Sequence, residues 1–268
     1  MKIDKNTQLC ISISSSPGNT GTTIHNELYK KHNLNFLYKS FKVDDIESVM
    51  SGIIALGIRG CSVSMPFKRD VIKYLYEVDG RATRAESVNT IVNNQGTLKG
   101  YNTDIFGVQE TIKNSHTSCS KAIIFGAGCT ARSTCEALIS MDFKEILVMN
   151  RTKSKAESLS SSLSKLGIVS RSISSLSDLK DYMLINCTSI GMKPSDRFPI
   201  SNSEISNFSI IFDVVCNETD LIKRAKNLNV SVLLGKDMAI NQSLLQFKLY
   251  TGFDIDFHAE RIFIKELL

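Results

Sequence analysis

The chain has 268 residues, a length suited to two domains on the soft scale of roughly 150 residues each. Hydrophobic residues at 42%, charged residues at 22% and a formal charge of +5 are ordinary for a soluble globular protein. The basic residues are scattered and aromatics are only 7%, so a nucleic-acid partner is not expected, and the modest positive excess suits anionic small molecules.

Seven cysteines stand at 10, 61, 119, 129, 135, 187 and 216, with no CxxC pair and no histidine at metal-binding spacing. Neither a disulfide nor a metal is expected. Cys10, Cys61 and Cys187 lie inside apolar runs, where a thiol behaves as a small core residue. The start, MKIDKNTQ, lacks an apolar signal core, and no apolar run approaches the roughly 18 residues of a membrane span. The expectation is a cytoplasmic protein with no membrane association.

In chain order, Gln8 to Ser14 is predicted as a strand. Ser15 to Thr22 is dense in turn formers and precedes helical spacing at Ile24, Leu28 and Tyr29. Asn35 to Phe41 alternates as a second strand, Val43 to Leu56 has helical spacing, and Ile58 to Val63 is a third strand. This β-α-β-α-β order implies a parallel sheet. Pro66 suits a first helical turn, so Phe67 to Tyr76 is predicted as a helix with Lys68 at its start. Ser87 to Val92 and Gly96 to Tyr101 flank Asn93-Asn94-Gln95-Gly96 as a hairpin, and Asn102-Thr103-Asp104 opens the next helix.

Lys121 to Thr152 then carries an apolar strand, the turn Gly126-Ala127-Gly128-Cys129-Thr130-Ala131, helical spacing at Ala131, Cys135, Leu138 and Ile139, and a second strand ending at Asn150-Arg151-Thr152. That is the order of a βαβ dinucleotide-binding unit: Gly126 permits the tight turn, Gly128 lets the backbone approach a diphosphate, and the helix's free N–H groups face the phosphates. A glycine turn alone also occurs with nothing bound. About 20 residues after the glycines, where an NAD site would offer a carboxylate to the ribose, this chain offers Asn150, Arg151, Thr152 and Lys155. A carboxylate would repel a 2′-phosphate, whereas these groups would bind it, so NADP(H) is expected over NAD(H). Beyond this unit, Lys153 to Leu166 is predicted as a helix, and Ser158 to Ser177 is read as helix surface and loop. Met183 to Cys187, Ile210 to Val215 and Val230 to Leu234 are predicted strands, with helices at Thr219 to Leu228 and Met238 to Tyr250.

Three motifs precede the glycine turn in fixed order: Val63-Ser64-Met65-Pro66-Phe67-Lys68, Glu86-Ser87-Val88-Asn89-Thr90-Ile91, and Tyr101-Asn102-Thr103-Asp104. After it come Asn150-Arg151-Thr152, Asn186-Cys-Thr188-Ser-Ile-Gly191-Met192, Asp213-Val-Val, and Gly235 to Gln242 followed by Thr251-Gly252. In register over essentially the whole chain, these resemble the shikimate dehydrogenase family, in particular its shikimate dehydrogenase-like branch.

The resemblance implies reversible reduction of 3-dehydroshikimate to shikimate by NADPH, with Lys68 and Asp104 handling the proton. It places Ser64, Asn89 and Gln242 at the substrate beside Lys68 and Asp104, and Val214 and Gly235 on the nicotinamide side. Taken singly, Lys68 would be a solvated lysine and Asp104 a helix cap. The chain departs from the family where two serines bind the substrate carboxylate: counting back from His25-Asn26 puts Asn19 and Gly21 there, so Thr22, or Ser12 and Ser14, are the candidate hydroxyls. Cys216 stands where a substrate tyrosine is usual, and Cys129-Thr130 replace a glycine and an alanine.

The expected fold is α/β in two lobes. Residues 1–104 with 238–268 form an α/β substrate domain, and residues 105–237 form a Rossmann-type NADP-binding domain with an open parallel sheet. The partner is a small-molecule substrate and the chain acts as a monomer or homodimer. The alternatives are a quinate/shikimate dehydrogenase using NAD or NADP, and a non-catalytic NADP- or ligand-binding sensor, against which the retention of both Lys68 and Asp104 argues.

Overall fold

The computed structural model describes residues 3–177 and 179–268, leaving Met1 and Lys2 of the polar start, and Asp178, outside the described residues. The chain divides into two compact units, Met1–Phe106 with Ile240–Leu268, and Gly107–Ala239.

The first unit opens with β1 (Gln8–Ser14), α1 (Thr20–Lys31), β2 (Phe36–Lys42), α2 (Ile46–Ala55) and β3 (Gly60–Val63). A 3-10 helix (Asp70–Tyr74), β4 (Glu77–Val78), α3 (Gly80–Arg84), β5 (Thr90–Asn94) and β6 (Thr97–Tyr101) follow. The strands form one sheet in the order β2-β1-β3-β5-β6-β4, parallel across β2-β1-β3 and antiparallel at β3-β5 and β5-β6. The hairpin turns at Gln95 and Gly96, whose φ angles of 52° and 92° are the left-handed pair that a two-residue loop needs.

Alternation along QLCISIS decides what each face of β1 meets. Ile11 and Ile13 join one core cluster with Met50, Ile53, Val63, Val71 and Ile91, while Cys10 joins another with Ile24, Leu28, Tyr29, Tyr38 and Val92. Past Cys10 this second face turns polar. Ser12 pairs in register with Ser40 on one side and Ser62 on the other, and Ser62 pairs with Thr90.

Phe67 to Tyr76 is not the predicted α-helix. The Lys68 carbonyl accepts the Val88 N–H at 2.8 Å instead of an amide four residues on, and the segment tightens into the 3-10 turn before Glu77 enters the sheet. The apolar spacing is still used, since Phe67 and Val71 are buried in the first core cluster.

The second unit runs through α4 (Thr103–Lys113), which crosses the division, then β7 (Lys121–Phe125), α5 (Cys129–Ile139), β8 (Glu145–Met149), α6 (Lys153–Lys165) and β9 (Val169–Ser172). Next come β10 (Met183–Asn186), α7 (Asn202–Ile205), β11 (Ile210–Asp213), α8 (Asp220–Asn227) and β12 (Ser231–Leu234). The six strands among the described residues are parallel in the order β12-β11-β10-β7-β8-β9, a doubly wound sheet whose chain reverses direction beside β7. Ser158 to Ser177, expected to be helix surface and loop, contains β9, an edge strand whose alternately exposed residues carry no buried run. From β12 the chain returns to the first unit through α9 (Gly235–Thr251) and α10 (Phe257–Leu267). There Ile240, Leu244, Phe247 and Tyr250 complete the cluster around Cys10 and Tyr29. No described helix is long and apolar enough to cross a membrane.

Candidate active site

The chemistry of the first unit gathers where β3 ends and β5 and α4 begin. Lys68 lies in the turn after β3 and Asp104 is the second residue of α4; their side chains are 12% and 9% exposed, and Lys68 Nζ donates to Asp104 Oδ2 at 2.6 Å. The other carboxylate oxygen accepts from Asn89 Nδ2 at 2.8 Å. Asn89 is itself fixed by its Oδ1, which accepts the Thr103 N–H at 2.7 Å and the Thr90 hydroxyl at 2.8 Å. Gln242, half-buried on α9, brings Oε1 within 3.1 Å of Thr103 Oγ1 and 3.4 Å of Asn89 Nδ2. The structure thus brings together Lys68, Asn89, Asp104 and Gln242, four of the six residues assigned to the substrate side. An ammonium group largely withdrawn from water beside a hydrogen-bonded carboxylate can stabilise charge on an oxygen and exchange a proton with it.

The other two, Thr22 and Ser64, make no side-chain hydrogen bond to the pair among the described residues. Thr22 in the first turn of α1 meets Ser40 of β2 at 2.8 Å, and Ser40 accepts from Ser12 at 2.8 Å, so three half-buried hydroxyls form one cluster. Ser64 is exposed just past β3, and its hydroxyl has no hydrogen-bond partner among the described residues. Ser14 is used locally, accepting the Ser16 N–H at 3.1 Å. Asn19 is the N-cap of α1 without a side-chain capping bond.

Thr103, Ser40, Ser62, Thr90 and Gln246 were not singled out in the sequence. A lone hydroxyl in an alternating strand has an ordinary appearance, and only strand register lines up Ser40, Ser12, Ser62 and Thr90. Gln246 carries a fainter signal, one helical turn after Gln242.

His25 is fully buried and stacks on Tyr38 with centroids 4.3 Å apart. Burial pushes its pKa down from 6.5 to about 4, against a hydrogen bond to Gln246 that raises it. The folded state therefore prefers the neutral ring. The stability this contributes is complete above pH 6.5 and is lost as the pH falls towards 4, in total about 3 kcal/mol. Urea unfolding at pH 7 and pH 4.5 is expected to show a smaller acid loss for His25→Gln than for the parent; equal losses would remove His25 from the acid transition.

In the second unit the glycine turn follows β7. Gly126 has φ +121°, and a Cβ there would meet the Cys187 carbonyl oxygen at 3.0 Å. Gly128 caps α5 with no side-chain bond, nothing lies within 4 Å of where its Cβ would stand, and the first turn contains no acidic residue. Ala127, Cys129 and Thr130 are half-buried around it, and Ala131 is fully buried. After β8, Asn150 Nδ2 donates to the Thr152 carbonyl at 2.9 Å and Thr152 caps α6. Arg151 and Lys155 are exposed, and neither has a side-chain hydrogen bond or ion pair among the described residues. A dinucleotide fits these groups: open space and uncapped N–H groups for its diphosphate, uncommitted cations for a 2′-phosphate.

Asp213, at the end of β11, is fully buried, and burial raises its pKa. It nevertheless accepts from Thr219 Oγ1 at 2.6 Å, Asn186 Nδ2 at 2.9 Å and Val215 N–H at 3.0 Å, a set of donors suited to a carboxylate. Asn186 in turn accepts from the Thr188 N–H at 3.0 Å, so the loops after β10 and β11 are held together. Val214 and Gly235 also meet, since a Cβ on Gly235 would lie 2.3 Å from the Val214 carbonyl oxygen. All seven cysteines are free, with Cys10, Cys61 and Cys187 buried and Cys216 exposed. No group of three potential metal ligands occurs among the described residues.

Residues 10–91 match the shikimate dehydrogenase substrate binding domain, and residues 108–194 match shikimate / quinate 5-dehydrogenase. A shikimate dehydrogenase-like protein of Haemophilus influenzae is 39% identical over 257 residues, 93% of this chain and 92% of that one. The shikimate dehydrogenase (NADP(+)) of Caldanaerobacter subterraneus is 34% identical over 281 residues, covering 98% of this chain and 99% of its own. A solved shikimate dehydrogenase in complex with NADP+ superposes with a TM-score of 0.86 at 28% identity, over 99% of this chain and 97% of that one.

Proposed function

The chain belongs to the shikimate dehydrogenase family, and we propose that it interconverts 3-dehydroshikimate and shikimate with NADP(H). The observation that carries this reading is the 2.6 Å contact of Lys68 with Asp104, in a cluster that also holds Asn89 and Gln242. NADPH, when bound, supplies the hydride. Charge then developing on the ketone oxygen is met by the Lys68 ammonium group, which gives up a proton and recovers it from solvent; Asp104 keeps that group in place. In the reverse direction the pair takes up the hydroxyl proton. Asn89 and Gln242 orient ring hydroxyls, Ser64 contacts the substrate, and Thr22, together with Ser40 and Ser12, serves the carboxylate end. Gly126, Ala127, Gly128, Cys129 and Thr130 hold the diphosphate, and Asn150, Arg151, Thr152 and Lys155 the 2′-phosphate. Val214 and Gly235 border the nicotinamide.

Initial rates for shikimate and quinate, each with NADP and NAD, test the reading. The highest kcat/KM is expected for shikimate with NADP. The second reading, quinate or a related acid, rests on the departure at the carboxylate end, where Asn19 and Gly21 replace serines and Thr22, Ser40 and Ser12 offer hydroxyls instead; a higher kcat/KM for quinate would establish it. No turnover with any of the four pairs would leave a ligand-binding protein.

Cofactor choice has its own test. Arg151→Ala is expected to weaken NADP roughly ten- to a hundredfold and NAD little, because a charge-assisted hydrogen bond contributes about 1.5 to 3 kcal/mol and only NADP has the phosphate to accept it. Raised salt should act in the same sense, since the guanidinium is exposed. An equal loss for both cofactors would assign Arg151 to folding or adenine stacking.

A further inference from the structure

We propose that Gln246 is a positioning residue that acts through Thr90 to fix which way the Asn89 amide faces, and so keeps Asp104 turned to Lys68. The inference rests on the reading of Lys68 and Asp104 as the proton-handling pair. Gln246 is 1% exposed, and its orientation follows from the groups around it. Nε2 lies 3.4 Å from the Asn89 backbone carbonyl oxygen, which can only accept, and also 2.9 Å from Thr90 Oγ1 and 3.1 Å from Ser62 Oγ. Oε1 is then the atom 3.4 Å from His25 Nε2, so the histidine carries its proton on Nε2. The Nδ1 atom left bare is buried without a partner among the described residues, which costs less for an unprotonated nitrogen than for an N–H.

Thr90 has a single proton. Gln246 donates into its oxygen, and of the two acceptors in reach, Thr103 Oγ1 at 3.1 Å and Asn89 Oδ1 at 2.8 Å, that proton takes the nearer, where the Thr103 N–H also arrives at 2.7 Å. Both donors hold Oδ1 inward and leave Nδ2 facing Asp104 Oδ1 at 2.8 Å. A reversed Asn89 would set a carbonyl oxygen against a carboxylate oxygen at that distance. Asp104 would then have to turn away from Lys68 or take up a proton. Polarity thus runs from a neutral histidine through an amide and a hydroxyl to the catalytic carboxylate.

Thr90→Val removes the hydroxyl at nearly constant shape, and Gln246→Leu removes the amide; Thr90→Ser restores the hydroxyl. Steady-state rates with shikimate and NADP are compared with solvent exchange of the Asn89 side-chain amide protons by 15N NMR. For Thr90→Val and Gln246→Leu, kcat is expected to fall about tenfold, with a smaller change in substrate KM and faster Asn89 amide exchange, the loss of one hydrogen bond in a buried network. Thr90→Ser is expected to recover both. Unchanged kcat and exchange in a folded Thr90→Val protein would overturn the proposal, as would a loss of kcat that Thr90→Ser fails to restore. Because the exchange readout needs no turnover, faster exchange in a chain whose parent is inactive would uphold the positioning role while the activity reading fails.

Discussion

Lys68→Ala is expected to lower kcat by about a thousandfold while NADP(H) affinity stays within about twofold of the parent. The first part follows from what the side chain touches: Lys68 is the one ammonium group hydrogen-bonded to Asp104 among the described residues. The charge developing on the reacting oxygen would lose both its stabilising cation and its proton donor. The second part follows from where the residue sits. Lys68 belongs to the unit containing Met1–Phe106, and every residue proposed for the cofactor belongs to Gly107–Ala239. Cofactor fluorescence titration beside steady-state rates separates the two effects. A variant that keeps near-parent turnover would take Lys68 out of the reaction.

Gly235→Ala is expected to be the most damaging single-methyl change in the second unit. The added Cβ would lie 2.3 Å from the Val214 carbonyl oxygen and 2.6 Å from the Val215 carbonyl carbon, both backbone atoms that no rotamer can move. Main chain must shift at the end of β12, at a cost of about 3 kcal/mol, and the melting temperature should drop by roughly 10 °C. Val214 moves with it, so NADP(H) affinity should fall in the portion that stays folded. Thermal melts with and without NADP read both. A parent-like melting temperature would mean that the β11 and β12 loops separate at little cost.

What could be read from the sequence was the chemistry that comes in contiguous motifs. The glycine turn, the strand ending at Asn150-Arg151-Thr152, the hairpin at Gln95-Gly96 and the pairing of Lys68 with Asp104 each depend on local spacing or on several motifs in fixed order. Phe67 to Tyr76 misled because apolar spacing records burial and not hydrogen bonding; the Lys68 carbonyl is claimed by Val88, far along the chain. Strands β4 and β9 are short and half exposed, so neither has an apolar run to betray it. The Ser40–Ser12–Ser62–Thr90 row is invisible for a different reason. Its members come from four strands, and register, a property of the assembled sheet, makes them neighbours.

The first unit is assembled from two stretches of chain, with Gly107–Ala239 between them. A ribosome therefore releases β1 to β6 long before Ile240, Leu244, Phe247 and Tyr250, which cover the cluster around Cys10, Ile24 and Tyr29. At ordinary elongation rates of about 5 to 20 residues per second, that apolar face waits on the order of 10 s for its lid. The Rossmann unit, continuous in sequence, can close during the wait. Chaperone demand in the cell should accordingly fall on the nascent substrate unit, and ribosome-bound chains halted once Leu234 has left the exit tunnel, with Ile240 to Tyr250 still inside it, should capture a completed cofactor fold and a first sheet that lacks its covering helix.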